Sequence, residues 1–203
     1  EKREKINSFM YEEETDYNGE VEVYHLLQLL RDQVGFLRIG EKVKKPLRGL
    51  KVAPYYGCLL VRPVEAGFDD PEEPRVLDDL LRTLGAQVID HPYKTECCGS
   101  YNTVDRVDLV ADRTREIVGA AKRRGADLLV TSCPLCQFNL DNRQKDVLLR
   151  HSDFTGIPVL YFTQLMALAF GLDEKALRFD LNFVDPVPVL KQRLEFVEGI
   201  QRS

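Results

Sequence analysis

The sequence predicts an α/β protein: a parallel sheet of about four strands flanked by helices, with a helical arm at its N-terminus. Three observations predict it. From Leu50 onward, short apolar runs of strand type alternate with segments whose apolar residues recur at helical spacing. One of those runs, Asp127-Leu128-Leu129-Val130, is almost continuously apolar, as parallel strands buried on both faces are. Gly85, Gly125 and Gly171 stand where the helical segments stop, the place where a chain leaves a helix through a left-handed residue.

Residues 1–48 read as the arm and 49–203 as the main domain. The arm opens on Glu1-Lys2-Arg3-Glu4-Lys5 and turns at Tyr17-Asn18-Gly19. Val21, Val23, Leu26, Leu27, Leu30 and Val34 then predict a helix near 20–33 that docks on the body, and Pro46 closes the segment. Leu50 to Tyr55 is the first strand. Asp70-Pro71-Glu72-Glu73 has the form of a helix start, with a cap, a proline at the first position and acids in the first turn. Val76, Leu77, Leu80, Leu81 and Leu84 supply its apolar face. Ala86 to Asp90 is the second strand, and Val107, Val110, Ala111, Thr114, Val118 and Ala121 mark a long helix after it. The third strand is Asp127 to Val130, followed by a helix opening at Pro134. Val159 to Phe162 is the fourth, with Thr163 capping a helix that ends at Gly171. A terminal helix is expected from Val189 to Ile200.

Composition narrows the function. The 203 residues are 44% apolar, enough for a buried core. The 28 basic and 33 acidic side chains leave a formal charge of −5, and the longest basic runs are Lys122-Arg123-Arg124 and Lys44-Lys45. That excludes an evident nucleic-acid surface. The apolar stretch Ile157–Leu172 is shorter than the roughly 20 residues of a membrane span and is interrupted by Thr163 and Gln164. No targeting segment is visible. Five cysteines cannot all pair within one chain, and a secreted scaffold of this length would carry more. The expectation is a reduced, cytoplasmic protein. Because the chain does not begin with Met, it is read as a piece of a longer polypeptide or a processed one.

The cysteines fall where such a sheet places its site. Cys58 follows the first strand, Cys97 and Cys98 the second, and Cys133 and Cys136 the third. Ligands of open α/β sheets bind at the carboxyl ends of the strands. Cys133-Pro134-Leu135-Cys136 opens a helix, where the first-turn N–H groups favour thiolate. Gly99 supplies the turn that aims Cys97 and Cys98 at one centre, and Gly57 suggests a close backbone approach. Converging thiolates need a cation, which points to zinc or iron–sulfur. Zinc and a cubane four-iron cluster each take four ligands, so five is awkward for either. The other readings are five inert buried thiols and a thioredoxin-like dithiol at Cys133 and Cys136.

In spacing, the motif is Cys58, Cys97-Cys98-Gly99 and Cys133-x-x-Cys136. It resembles the cysteine-rich CCG domain. Tyr55-Tyr56-Gly57-Cys58, Arg62-Pro63, Cys133-Pro134-Leu135-Cys136 with Asn139-Leu140, Pro158 to Leu165, and Phe183-Val184-Asp185-Pro186 are all similar to the B subunit of heterodisulfide reductase. The resemblance runs from about residue 20 to the end. It implies that Cys58, Cys97, Cys98, Cys133 and Cys136 hold one non-cubane 4Fe-4S cluster, with zinc as the alternative or an artefact of preparation. It implies reductive cleavage of a mixed disulfide of the CoM-S-S-CoB type. The implied partners are a flavin-containing A subunit, an iron–sulfur C subunit and an N-terminal CCG half. Family members carry two such motifs and this chain has one, so it is read as the C-terminal half of a B subunit. A module that relays electrons without meeting substrate is the remaining alternative.

Other residues carry weaker signals. Gln164 is expected near the cluster or substrate, and Thr163 as a helix cap. Asn139 either supports the Cys133-x-x-Cys136 loop or is exposed; Arg62 either binds an anionic substrate group or forms a salt bridge. His25 reads as a docking contact, His91 as a strand-end histidine bonded to a loop with a proton-source role as the alternative, and His151 as solvent-facing. No GxGxxG follows the first strand, so a nucleotide cofactor has no support.

Overall fold

Four short strands form one parallel sheet: β1 (Lys51–Tyr55), β2 (Gln87–Val88), β3 (Leu128–Thr131) and β4 (Val159–Tyr161), in the order β2-β1-β3-β4. The computed structural model describes residues 1–11, 15–197 and 199. Val52 pairs with Val88 on one side and Leu128 on the other; Leu129 pairs with Val159. The helices are α1 (Lys2–Phe9), α2 (Leu26–Leu29, prolonged by a π-helical turn over Leu30–Val34), α3 (Phe36–Gly40), α4 (Val76–Thr83), α5 (Val107–Arg123), α6 (Pro134–Asn142), α7 (Gln144–Arg150), α8 (Phe162–Phe170), α9 (Glu174–Leu177) and α10 (Val187–Arg193). None of the described helices is long and apolar enough to cross a membrane.

Strand alternation decides the layering, because successive side chains leave a strand on opposite faces. Val52, Leu128, Val130 and Leu160 pack with α4 and α8 in one core. Ala53, Tyr55, Leu129 and Val159 pack with α5, α6 and α7 in a second core on the other face. Val76, Leu77, Leu80 and Leu81 of α4 are all buried, each worth roughly 1.5–3 kcal/mol of apolar burial. Leu27, Ile39 and Leu47, from the N-terminal segment, lie in the first of these cores. The chain runs from β1 to β2 on one side and then crosses to β3 on the other. The crevice of a doubly wound sheet lies where the order reverses, here between β1 and β3.

Several boundaries differ from expectation. The helix expected over 20–33 begins only at Leu26, where His25 Nδ1 accepts the Leu27 N–H at 3.1 Å. Val21 and Val23 stand two apart, a spacing that fits no helix face, and Val23 is 90% exposed. Asp70 does accept the N–H groups of Glu72 and Glu73, both at 2.8 Å, yet no helix follows directly. Pro74 drives Glu73 out of the helical region, so α4 starts at Val76. Thr163 is not a cap: β4 runs straight into α8, and Tyr161 holds the N-cap position. The expected terminal helix is α10 followed by a 3-10 turn over Glu195–Val197, and residues 198 and 200–203 lie outside the described residues.

The second strand was expected over 86–90 and spans only Gln87–Val88. Its early stop has a cause in β1. The carbonyls of Leu50 and Val52 face β2 and accept the Gln87 and Ile89 N–H groups, each at 2.9 Å. Pro54 is the next residue on that side and has no N–H to give. The His91 ring closes the strand end instead, with Nε2 donating to the Pro54 carbonyl at 3.0 Å. The ring is 1% exposed and its Nδ1 has no partner. Burial pushes the His91 pKa from 6.5 down to about 4. A depressed histidine contributes stability above its unfolded pKa that is lost as pH falls through the folded one. We expect the wild type to lose about 3 kcal/mol on this account between pH 6.5 and 4. In His91→Gln the urea midpoint should fall less over that window, and parallel pH profiles for the two proteins would refute the assignment.

Candidate metal centre

Each thiol is placed by a local device at the carboxyl edge of the sheet. After β1, the N–H groups of Tyr56 and Gly57 both donate to the Lys94 carbonyl, at 2.8 and 3.1 Å, which turns the chain toward Cys58. Gly57 has φ +68°, and a Cβ there would lie 3.3 Å from Cys136 Sγ. Only glycine lets the backbone pass a sulfur so closely. Past β2, Gly99 at φ +80° turns Cys97 and Cys98, and its N–H donates to Cys97 Sγ at 3.3 Å. Cys133 is the N-cap of α6, with Pro134 in the first helical position. The Cys133 N–H donates to Thr131 Oγ1 at 3.3 Å, which fixes the strand-to-helix corner.

The thiols gather at one edge of the sheet. Cys98 Sγ lies 3.4 Å from Cys136 Sγ. Cys136 acts on Cys133, and Cys97 on Cys58. Cys98 and Cys136 are buried, and Cys58, Cys97 and Cys133 are half-buried. The Cys136 thiol is pushed up by Cys133, by Cys98 and by burial. Cys136 in turn pulls both neighbours down. Cys133 falls to about 6 through the Cys136 bond and the first-turn N–H groups of α6, against the opposing effect of burial. Cys98 falls to about 7 through Cys136, with further help from the Asn139 amide and the Ser100 N–H. Cys58 is raised by burial and by Cys97. Tyr55, buried under the cluster, donates to the Glu96 carbonyl at 2.5 Å, and burial and the surrounding thiolates hold its proton on.

The strongest influences on these thiols are burial, amide donors and one another, with no lysine, arginine or histidine among them. The donor set is thus uniformly soft. Among the described residues, no group of three or more His, Cys, Asp or Glu side chains is arranged to hold a metal ion.

The remaining expectations separate cleanly. Asn139, one turn after Cys136, is buried; its Nδ2 donates to Cys98 Sγ at 3.6 Å and its Oδ1 accepts from Thr103 at 2.7 Å. Arg62 forms the salt bridge, to Glu72 at 3.1 Å, and donates to the Thr95 and Pro71 carbonyls. His151 is the half-buried C-cap of α7. Gln164 departs from expectation. It is 8% exposed, and its Nε2 donates to the Leu177 and Arg178 carbonyls and to Asn182 Oδ1, at 2.9, 3.2 and 2.9 Å. Its Oε1 accepts the Tyr161 N–H at 2.9 Å. The amide is occupied by protein groups and borders a different hollow from the one beside the thiols. Two residues beside the thiols escaped sequence reasoning as site residues. Ser132 lies between the end of β3 and the α6 N-cap, and His25, the N-cap of α2, lines the hollow beside the thiols. Ser132 had a signal, its position directly before Cys133; His25 had none.

Fold and site together define a doubly wound parallel sheet with a thiol cluster at its carboxyl edge, and the comparisons agree. The model of the cysteine-rich domain family CCG matches residues 52–141. The chain is 36% identical over 184 residues to the 8-methylmenaquinol:fumarate reductase membrane anchor subunit of Wolinella succinogenes, covering 90% of this chain and 64% of the relative. It is 29% identical over 197 residues to the B subunit of the ferredoxin:CoB-CoM heterodisulfide reductase of Methanosarcina mazei, covering 96% and 65%. A hypothetical protein from Helicobacter pylori, solved as a crystal structure, shares the fold with a TM-score of 0.66 at 12% identity, over 89% of this chain and 32% of that one. Residues 52–141 match the CCG cysteine-rich family, and the chain as a whole is similar to the B subunits of heterodisulfide reductases. It spans about two thirds of the length of the curated relatives it matches.

Proposed function

We propose that the chain is an iron–sulfur subunit of a heterodisulfide-reductase-like oxidoreductase complex, with Cys58, Cys97, Cys98, Cys133 and Cys136 holding one non-cubane 4Fe-4S cluster. One observation carries the reading: thiols from three strand ends gather at one edge of the sheet, with Cys98 and Cys136 in contact at 3.4 Å. Such a donor set suits a multi-iron centre, and its fifth thiol has a use there that zinc does not offer. Once bound, the cluster supplies electrons one at a time beside a substrate sulfur. The protein's own part is to hold the sulfurs as thiolates. The Gly99 N–H donates to Cys97 Sγ and the Asn139 amide to Cys98 Sγ, and the start of α6 favours the thiolate of Cys133. Burial of Cys98 and Cys136 keeps water from the inner side.

The reaction takes one mixed disulfide, two electrons and two protons to two thiols. Its electrons would come from an iron–sulfur C-type subunit and a flavin-containing A-type subunit, with a second CCG half opposite this one. Anaerobically prepared protein should contain about four irons and four sulfides per chain. One zinc per chain with no iron after reconstitution would overturn the assignment.

The similarity to a menaquinol:fumarate reductase subunit favours a second reading, in which the cluster relays electrons and meets no sulfur substrate. The oxidised cluster's paramagnetic spectrum separates the two. A thiol or disulfide that perturbs the spectrum supports direct sulfur chemistry; indifference to every thiol and disulfide supports the relay.

A further inference from the structure

A cavity of about 420 Å³ lies away from the thiols, between α5 and the loop that leads from α7 into β4. Arg115, Gly119, Lys122 and Arg123 form its helical wall, and Phe154 and Thr155 stand on the loop side. No cysteine borders it.

Gly119 has a place in this wall that packing does not explain. Glycine inside a helix is less favourable than alanine, so its presence within α5 calls for a reason. A Cβ at this position would lie 3.0 Å from Arg123 Nη1 and 4.0 Å from Arg123 Cζ, and no other element of the described residues comes within 4 Å of it. What the absent methyl group preserves is the seat of the Arg123 guanidinium.

The charges around that seat are only partly matched. Arg123 has no hydrogen-bond or ion-pair partner among the described residues. Lys122 donates to the Gly156 carbonyl at 3.3 Å and keeps its other ammonium donors free. Arg115 meets Asp153 at 3.9 Å, a loose pair in which the carboxylate is 79% exposed. Glu116, the other acid of the wall, is taken by Arg113. Lys122 and Arg123 stand in the last turn of α5, where cations suit the helix dipole. Arg115 stands about two turns earlier and has no such role. The volume falls in the range of small-molecule sites, roughly 300–1,000 Å³, and Phe154 supplies an apolar part of the wall.

We infer that this cavity binds a small organic phosphate, with Arg123, seated over Gly119, as its principal anion contact and Arg115 and Lys122 completing the clamp. Guanidinium forks match the oxygens of a phosphate, and a dianion displaces the exposed Asp153 from Arg115. The site needs no metal at the thiols and is independent of the cluster.

Calorimetric titration of the whole chain with phenyl phosphate tests it. Phenyl phosphate should bind at least about tenfold more tightly than benzyl alcohol, its uncharged counterpart, and should lose affinity as salt is raised. Arg123→Gln should weaken phenyl phosphate about tenfold. Gly119→Ala should weaken it about three- to tenfold by displacing the guanidinium, while the urea midpoint rises because alanine favours the helix. A lower midpoint with unchanged affinity in Gly119→Ala would mean a glycine kept for packing and overturns the inference. Equal binding of the alcohol overturns it as well, as does wild-type affinity in Arg123→Gln. Retention on vesicles of phosphatidylcholine and phosphatidic acid, with no binding of phenyl phosphate, would assign the cations to a lipid surface in its place.

Discussion

Cys58→Ala is expected to reduce iron from about four per chain to below about one, while Cys133 and Cys136 remain in place. Cys58 is the thiol contributed by the end of β1, and it meets Cys97 at the half-buried rim of the cluster. The local turn does not depend on its side chain: the Cys58 carbonyl accepts the Arg62 N–H at 2.9 Å whatever the residue carries. The fold should therefore survive, and between iron-free chains loss of a half-exposed thiol should change stability by less than about 1 kcal/mol. Iron and sulfide analysis beside an unfolding curve reads both effects. A thioredoxin-like enzyme working through Cys133 and Cys136 would keep its disulfide reductase activity in this variant. Retention of that activity, with iron absent from wild type and variant alike, would replace the cluster by a dithiol.

The largest effect on stability should follow Gln164→Leu, at about 3–5 kcal/mol by urea unfolding. The volume is nearly conserved, so the loss is one of hydrogen bonding. The substitution strands the Tyr161 N–H and the Leu177 carbonyl and takes a donor from the Arg178 carbonyl and from Asn182 Oδ1. Each buried group left unpaired costs roughly 1–3 kcal/mol, and some recover water at the α9 edge. The same bonds tie α8 to the segment 177–182, so that segment should exchange its amide hydrogens faster. Iron per folded chain should stay at the wild-type value. A variant that keeps its stability and loses its iron would return Gln164 to the metal centre.

Much of the fold was legible because its determinants are local. The apolar run around Leu128–Val130 is buried throughout, and the stripe of α5 extends from Val110 to Ala121 as its spacing predicted. Gly85, Gly125 and Gly171 do end helices at positive φ. The errors have local causes too, though they compete with one another. Asp70 offered a cap and Pro74 cancelled the helix behind it. Pro54 shortened a strand elsewhere in the sequence, because its missing N–H faces β2 across the sheet.

At the site, the sequence by itself determined where the thiols gather. Thiols placed after three successive strands of a parallel sheet must gather at one edge, because every such strand ends on the same side. The glycines that flank them, Gly57 before Cys58 and Gly99 after Cys98, were likewise readable, since a positive φ is a local demand. Tertiary structure alone decided what surrounds the thiols. Gln164 follows its strand as the cysteines follow theirs, yet its amide is claimed by Leu177, Arg178 and Asn182. His25 precedes the first strand and still lines the hollow beside the thiols. Ser132 is left without a partner only because no neighbouring element offers one. Hydrogen-bond partners and cavity walls are chosen through space, among segments whose separation in sequence says nothing about their distance.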